Sequence, residues 1–266
     1  MDREFKKISR AGQLLHYCTV GQGEPLLLIH SFLCSMQMWE HQIDELSREF
    51  QVIAIDIRGH GQSGPAQPHD LYDLVEDAIA ILDAERVESA FWCGLSIGGM
   101  ISMRAAIKYR HRVRGLVLFN TDGGAEHSGI IFKHTILAFI VKTLGVKFVS
   151  KPVLELMFGV TARETQPELI ERWKGRILKV HVPSMIETLK ALKERKDVKP
   201  KLEELDIPAL VVHGTQDKAL SLRRGKALAE TLSAEFIVLE STGHLSALER
   251  PQQVLDAMVA FLRAQV

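Results

Sequence analysis

Short apolar runs alternate along this chain with stretches of helical periodicity, and that alternation restricts the fold more than any other feature. Residues 25–30, 51–55, 89–93, 113–119, 208–213 and 235–239 have the length and apolar character of strands, and 25–30 is apolar enough for a buried central one. Residues 14–20 follow a turn at 10–13 and read as the second arm of an opening hairpin. Between the runs lie helical stretches: 36–48, 70–85, 100–108, 222–232 and 251–263. In the second of these, Leu71, Leu74, Val75, Ile79 and Leu82 recur at helical spacing. The pattern predicts an α/β fold, a mostly parallel sheet flanked by helices on both faces. It breaks once. From about 123 to 200 there are several helix-like segments and no strand, so the expected organisation is an α/β core over 1–122 and 200–266, with a helical lid over 123–199 inserted after the sixth strand. No internal repeat or low-complexity tract interrupts it.

Composition narrows the function classes. A chain of 266 residues with 46% hydrophobic and 25% charged residues suits a soluble globular protein. The formal net charge is zero and no basic block occurs, so neither nucleic acid nor an anionic membrane is an expected partner. The first seven residues lack the apolar core of a signal peptide. The three cysteines, Cys18, Cys34 and Cys93, are odd in number and widely spaced, as free thiols in a reducing compartment would be. Cytoplasmic localisation follows as the expectation. The apolar segment 129–149 is broken by Lys133, His134, Lys142 and Gly145. Because a span needs about 20 uninterrupted apolar residues, it is expected to be a lid helix with a greasy inner face, carrying Ile130, Ile131, Phe132, Ile136, Leu137, Phe139, Ile140 and Val141. The eleven histidines show no HExxH or comparable spacing, so neither a metal nor a cofactor is expected.

The chemistry concentrates at Gly94-Leu95-Ser96-Ile97-Gly98, a Gly-x-Ser-x-Gly set between an apolar run and a helix-like run. A serine on so tight a strand-to-helix turn is held with strained backbone, and glycines two residues either side leave room where a Cβ would collide. The turn also sets Ser96 at a helix N-terminus, whose free N–H groups favour an oxyanion. A serine hydroxyl needs a base, and the base an orienting acid. With this elbow the chain order is serine, acid, histidine. His244 follows the last strand within Ser241-Thr242-Gly243-His244, and Asp217 follows the strand before it within His213-Gly214-Thr215-Gln216-Asp217. Both fall beyond the carboxyl ends of strands, where open α/β sheets bind ligands. Asp122, just past the sixth strand, is an alternative acid, and Glu126 a weaker third.

For the oxyanion hole the expected donors are the N–H groups of Ile97 and of Phe32, the latter on the loop after the third strand, His30-Ser31-Phe32-Leu33. The His30 side chain reads as a brace for that loop and Cys34 as a packing thiol. Residues 56–63, Asp-Ile-Arg-Gly-His-Gly-Gln-Ser, lack the ending of a phosphate loop and read as structural, His60 included. Trp39, Trp92 and Trp173 are expected in the core or lid. The cationic run 190–201, with Lys193, Arg195, Lys196 and Lys199, reads as a solvated hinge.

These residues together resemble the α/β-hydrolase superfamily over nearly the whole chain. The resemblance rests on His30-Ser31-Phe32-Leu33, Asp56-x-Arg58-Gly59-His60-Gly61-x-Ser63, Gly94-x-Ser96-x-Gly98-Gly99, Gly214-x-x-Asp217 and Gly243-His244. Met38-Trp39, residues 93–101 and Leu116-Val117-Leu118-Phe119-Asn120-Thr121 are similar to 3-oxoadipate enol-lactonases and related carboxylesterases. It implies an eight-stranded, mostly parallel sheet, a lidded serine esterase or lactonase, and no cofactor. One departure is Ser31, where the family usually has glycine after the oxyanion-loop histidine. Relatives with an aspartate nucleophile, the haloalkane dehalogenases and epoxide hydrolases, are excluded by Ser96.

The expected reaction is acyl transfer from a small-molecule ester or lactone to Ser96, with His244 as base, Asp217 orienting it, and water releasing the acid. Arg163, Arg172 and Arg176 are the lid arginines that could meet a substrate carboxylate. Three other readings share the same residues: a C–C bond hydrolase of ring-cleavage products, an acyltransferase or thioesterase, and a single-turnover ligand receptor. The oligomeric state has no signature in the sequence.

Overall fold

Eight strands form one sheet in the order β1-β2-β4-β3-β5-β6-β7-β8. The computed structural model describes residues 2–266; the side chains at 128, 130–134 and 137 lie outside that description. In chain order, β1 (Glu4–Arg10), β2 (Gln13–Val20) and β3 (Glu24–Ile29) precede α1 (Glu40–Leu46). Then come β4 (Phe50–Asp56), α2 (Leu71–Ala84), β5 (Ala90–Leu95), α3 (Ile97–Lys108) and β6 (Val113–Phe119). The helices α4 (Ser128–Leu144), α5 (Ser150–Met157), α6 (Val160–Thr165), α7 (Pro167–Ile177) and α8 (Val182–Lys193) follow without a strand among them. The chain returns through α9 (Lys199–Leu202) to β7 (Ala209–Gly214), α10 (Leu222–Thr231), β8 (Glu235–Leu239), α11 (Ser246–Glu249) and α12 (Pro251–Arg263). The mostly parallel α/β sheet expected from the alternation, and the eight strands implied by the α/β-hydrolase resemblance, are both observed.

Only the β1–β2 and β2–β4 pairings are antiparallel; the rest of the sheet is parallel. Its middle strands are buried on both faces, which is why they read as unbroken apolar runs rather than as alternation. One core layer packs Trp39, Phe91 and Phe119 with α12, and the other packs Trp92, Ile101 and Leu118 with α2 and α3. Helix α2 starts at a reciprocal capping box between Asp70 and Asp73. Helices α7, α8, α9 and α12 each have a proline in the first turn.

Three expectations need adjustment. The segment 36–48 splits into a 3-10 turn, Met36–Trp39, and the shorter α1. The greasy inner face of the α4 region is narrower than expected: Val141 is buried and Ile140 half-buried, but Ile136 and Phe139 are 45% and 68% exposed. At about 100° per residue, Phe139 points roughly 200° away from Val141, so the two cannot share a face. The expectation for Ile130, Ile131, Phe132 and Leu137 falls outside the described side chains. Arg195, third, is 6% exposed rather than part of a solvated hinge. The tryptophans and cysteines are all buried, the cysteines as free thiols. Among the described residues, no helix is long and apolar enough to cross a membrane.

Candidate active site

The strand order turns at β3, which lies between β4 and β5, so the chain leaves β3 and β5 at adjacent points on the sheet's carboxyl edge. Such a switch point opens a crevice. Here it sets the loop carrying His30, Ser31 and Phe32 beside the turn carrying Ser96. Ser96 has φ 57° and ψ −115°, a conformation costing about 1–3 kcal/mol for a residue with a Cβ. Its surroundings enforce it. Ser96 N–H donates to Phe119 O at 2.9 Å, and its carbonyl accepts from Thr121 Oγ1 at 2.7 Å and from Met100 N–H at 3.0 Å. The flanking glycines are a packing requirement: a Cβ on Gly94 would lie 2.1 Å from the Gly98 backbone, and one on Gly98 2.2 Å from Ile29 O. Sequence predicted both.

The neighbouring loop is braced by His30. Ile57 N–H donates to its Nε2 at 3.0 Å, which leaves Nδ1 protonated to donate to Ser31 O at 2.6 Å. Burial holds this imidazole's pKa below the usual histidine range, so it stays neutral and structural. His60 packs against both His30 and Phe32 and is pushed down to about 3 by burial, with the nearby His30 adding to it. Leu33 sits at φ 61°, turning the loop at the point where Phe32 faces the cavity. Burial pushes the Cys34 thiol up, which removes its thiolate at neutral pH.

On the far side, Asp217 and His244 come together. His244 Nδ1 lies 2.9 Å from Asp217 Oδ2. Asp217 Oδ1 accepts from Ala219 and Leu220 N–H at 2.8 and 2.9 Å, and Oδ2 also accepts from Asn120 Nδ2 at 2.9 Å. His213, buried in β7, has Nε2 at 3.3 Å from Oδ2 and 2.8 Å from Leu220 O. Burial alone would raise the Asp217 pKa; the facing His244 charge and the donors His213 and His244 outweigh it and hold the carboxyl well below the usual range. It is therefore a carboxylate throughout the pH range in which enzymes work.

Asp122 points elsewhere. Its carboxylate lies 3.1 Å from Arg224 and accepts Gly124 N–H at 3.0 Å. Glu126 pairs with Arg195 at 2.8 Å and reaches Arg224 at 3.6 Å. Asn120 and His213, neither foreseen as part of the site, both close on Asp217. Asn120 sits at φ 46° immediately after β6, and a strand-end asparagine able to adopt that conformation was the available signal.

A cavity of about 380 Å³ joins these parts. Ser31, Phe32, Ser96 and His244 line one side; Met100, Pro152, Val153, Leu156, Met157, Leu192 and Leu220 make the rest largely apolar. Glu126 and Arg195 contribute a neutralised pair, and Lys218 is exposed at the edge. Arg172 and Arg176 line a separate depression with Trp173, so they do not face Ser96. Among the described residues, no group of three or more histidine, cysteine, aspartate or glutamate side chains could hold a metal ion.

A strained serine on a strand-to-helix turn, beside a braced loop at the switch point of a parallel sheet, defines an α/β-hydrolase. The chain belongs to the family described as serine aminopeptidase, S33 (Hydrolase_4), whose model matches residues 24–250. It is 29% identical over 252 residues to 3-oxoadipate enol-lactonase 2 of Acinetobacter baylyi, covering 94% of this chain and 93% of that one. To a dihydrolipoyllysine-residue acetyltransferase component of the acetoin cleaving system of Pseudomonas putida it is 30% identical, over 97% of this chain and 69% of the relative. Among solved structures, a thermophilic esterase from Thermogutta terrifontis with malate bound superposes with a TM-score of 0.91 at 27% identity, covering 100% of this chain and 99% of that one.

Proposed function

We propose that this chain is a carboxylic ester hydrolase acting on an ester or lactone through an acyl-enzyme, with Ser96, His244 and Asp217 as its triad. The observation that carries it is the meeting, in one largely apolar cavity, of a serine held in strained conformation and a histidine whose other ring nitrogen is fixed 2.9 Å from a buried carboxylate. With Nδ1–H committed to Asp217, Nε2 is the free base. It takes the Ser96 proton as Oγ attacks the carbonyl, and the N–H groups of Ile97 and Phe32 are the donors assigned to the oxyanion. His244 then protonates the leaving alcohol or ring oxygen. A water molecule, deprotonated by His244, releases the acid. Residues 1–122 and 200–266 are read as the core and 123–199 as a lid that contributes Val153, Leu156 and Leu192 to the cavity.

The family's description names a peptidase, but the cavity favours an ester or lactone. An aminopeptidase must bind a free ammonium group, and the single acid among the described lining residues, Glu126, is already paired with Arg195. The apolar wall suits a small to medium acyl or alcohol group, as do the relatives that are lactonase and esterase. The test is hydrolysis of short- and medium-chain p-nitrophenyl esters and a simple lactone, beside Ser96→Ala, with a fluorophosphonate as label. Multiple turnovers and labelling, both lost in Ser96→Ala, are expected. A folded sample with neither would refute the triad, and labelling without turnover would favour acyl transfer, C–C hydrolysis or a single-turnover receptor.

A further inference from the structure

We infer that the short segment Met157–Thr161 of the helical insertion is a strap that positions the catalytic dyad, with Glu249 as its buried anchor; this rests on the functional reading above. Three hydrogen bonds tie this segment directly to the two loops that carry His244 and Asp217, Glu249 bridges it to the first of them, and none of these contacts involves Ser96. On the histidine side, Leu245 N–H donates to Met157 O at 3.1 Å. Glu249, 2% exposed, accepts Gly243 N–H at 2.8 Å and Gly159 N–H at 3.2 Å on the same carboxylate oxygen. On the acid side, Thr161 N–H donates to Gln216 Oε1 at 3.0 Å while Gln216 Nε2 donates to Thr161 Oγ1 at 2.9 Å. Gln216 N–H in turn donates to Thr242 O at 2.7 Å, closing the two loops on each other.

The backbones meet too closely for side chains. A Cβ on Gly243 would lie 2.1 Å from Gly159 N, and one on Gly159 2.8 Å from Gly243 N. Glycine on both sides of this contact lets the insertion backbone seat directly on the loop immediately before His244. A carboxylate buried there serves the same end: burial raises the Glu249 pKa, and the two N–H donors offset part of that cost. The insertion is therefore more than a cover. Its far part shapes the cavity, and its Met157–Thr161 part sets where the imidazole stands. A misplacement of about 1 Å can cost a catalytic constellation roughly 100-fold in rate.

The signature is a fall in kcat with little change in KM, because only Met157 of the strap reaches the cavity wall, whereas the residues to be replaced, Glu249, Gly159 and Gln216, lie outside its lining. Glu249→Ala should lower kcat by about 10–100-fold with KM within about threefold, and fluorophosphonate labelling of Ser96 should slow in step. Glu249→Gln, which keeps an oxygen for both N–H groups, should recover kcat to within about threefold. Gly159→Ala, acting from the insertion side, should reproduce the kcat loss. If Glu249→Ala does not fold, as thermal unfolding would show, Gln216→Leu replaces it, with about a tenfold loss of kcat expected for two hydrogen bonds. Unchanged kcat in these variants, a change confined to KM, or a Glu249→Gln no better than Glu249→Ala would overturn the strap. Ser96→Ala is run beside them: if it still turns over, the functional reading fails; if it is inactive while the strap variants keep full kcat, only the strap fails.

Discussion

Replacing Asp217 by asparagine tests how the dyad is wired, and the structure sets the size of the effect. Asp217 Oδ1 accepts two backbone N–H groups, from Ala219 and Leu220, while Oδ2 faces Asn120 Nδ2, His213 Nε2 and His244 Nδ1. Asparagine has one oxygen. If that oxygen keeps the backbone pair, its NH₂ confronts three donors, and His244 can relieve the clash only by moving its proton from Nδ1 to Nε2. The nitrogen facing the cavity would then carry a proton and could no longer act as base. A wrong tautomer at this point costs roughly 10⁴-fold in kcat, or about 5.4 kcal/mol at 1.36 kcal/mol per factor of ten. Uncovering three buried donors should also cost about 3–5 kcal/mol of stability, the range for breaking a buried charged pair. The Asp217 pKa is depressed by folding. Its stabilisation is therefore complete above the unfolded value of about 3.9 and is lost as pH falls through the lower folded value. The difference in urea stability between wild type and variant should accordingly be full at pH 7 and shrink in strong acid. Asp122→Asn is the control, since Asp122 serves Arg224 and not His244. Ester hydrolysis at pH 7 decides: Asp217→Asn within tenfold of wild type, or Asp122→Asn equally crippled, would refute this account.

Three further outcomes are expected. Ser96→Gly should be inactive yet raise Tm by about 2 °C, since relief of about 1–3 kcal/mol of backbone strain exceeds the added chain entropy of roughly 0.4–1 kcal/mol; a lower Tm in calorimetry would contradict the strain argument. Glu126→Gln breaks the buried pair with Arg195 and should cost about 3–5 kcal/mol at pH 7. Burial opposes the Glu126 charge but the Arg195 hydrogen bond prevails and lowers its pKa, so its contribution is present above about 4.3 and lost as pH falls below it; urea melts at pH 7 and in strong acid should show the gap closing. Gly98→Ala, whose Cβ would meet Ile29 O at 2.2 Å, should abolish Ser96 labelling even where circular dichroism shows folded protein.

The core was legible because the central parallel strands are buried on both faces, so burial wrote itself as runs such as 25–30 and 113–119. The elbow was legible because a local steric demand, room for Gly94 against Gly98, has a local signature. What stayed hidden depends on contacts between distant segments. Arg195 sits among lysines in the sequence, and what receives it out of solvent is the carboxylate of Glu126, 69 positions away, with the carbonyls of Gly124 and Leu192. His213 reads as the end of an apolar strand, and its approach to Asp217 follows from how residues 214–220 turn back. Glu249, in a helical turn beside Arg250, carries no mark of burial until Gly159 is brought against it.

The β6–β7 ladder, pairing Leu116 with Ala209, joins residues separated by the whole helical insertion. Closing so long a loop costs entropy that grows only as about (3/2)RT ln n, so a long insertion is tolerated at equilibrium. In time the same ladder is a late event, because non-local pairing must await that closure. Ser96 precedes it in the chain, whereas Asp217 and His244 follow it. On the proposed triad, recovery of turnover during refolding is a clock for one specific step, the docking of the C-terminal strands onto a sheet whose first six strands can already have assembled.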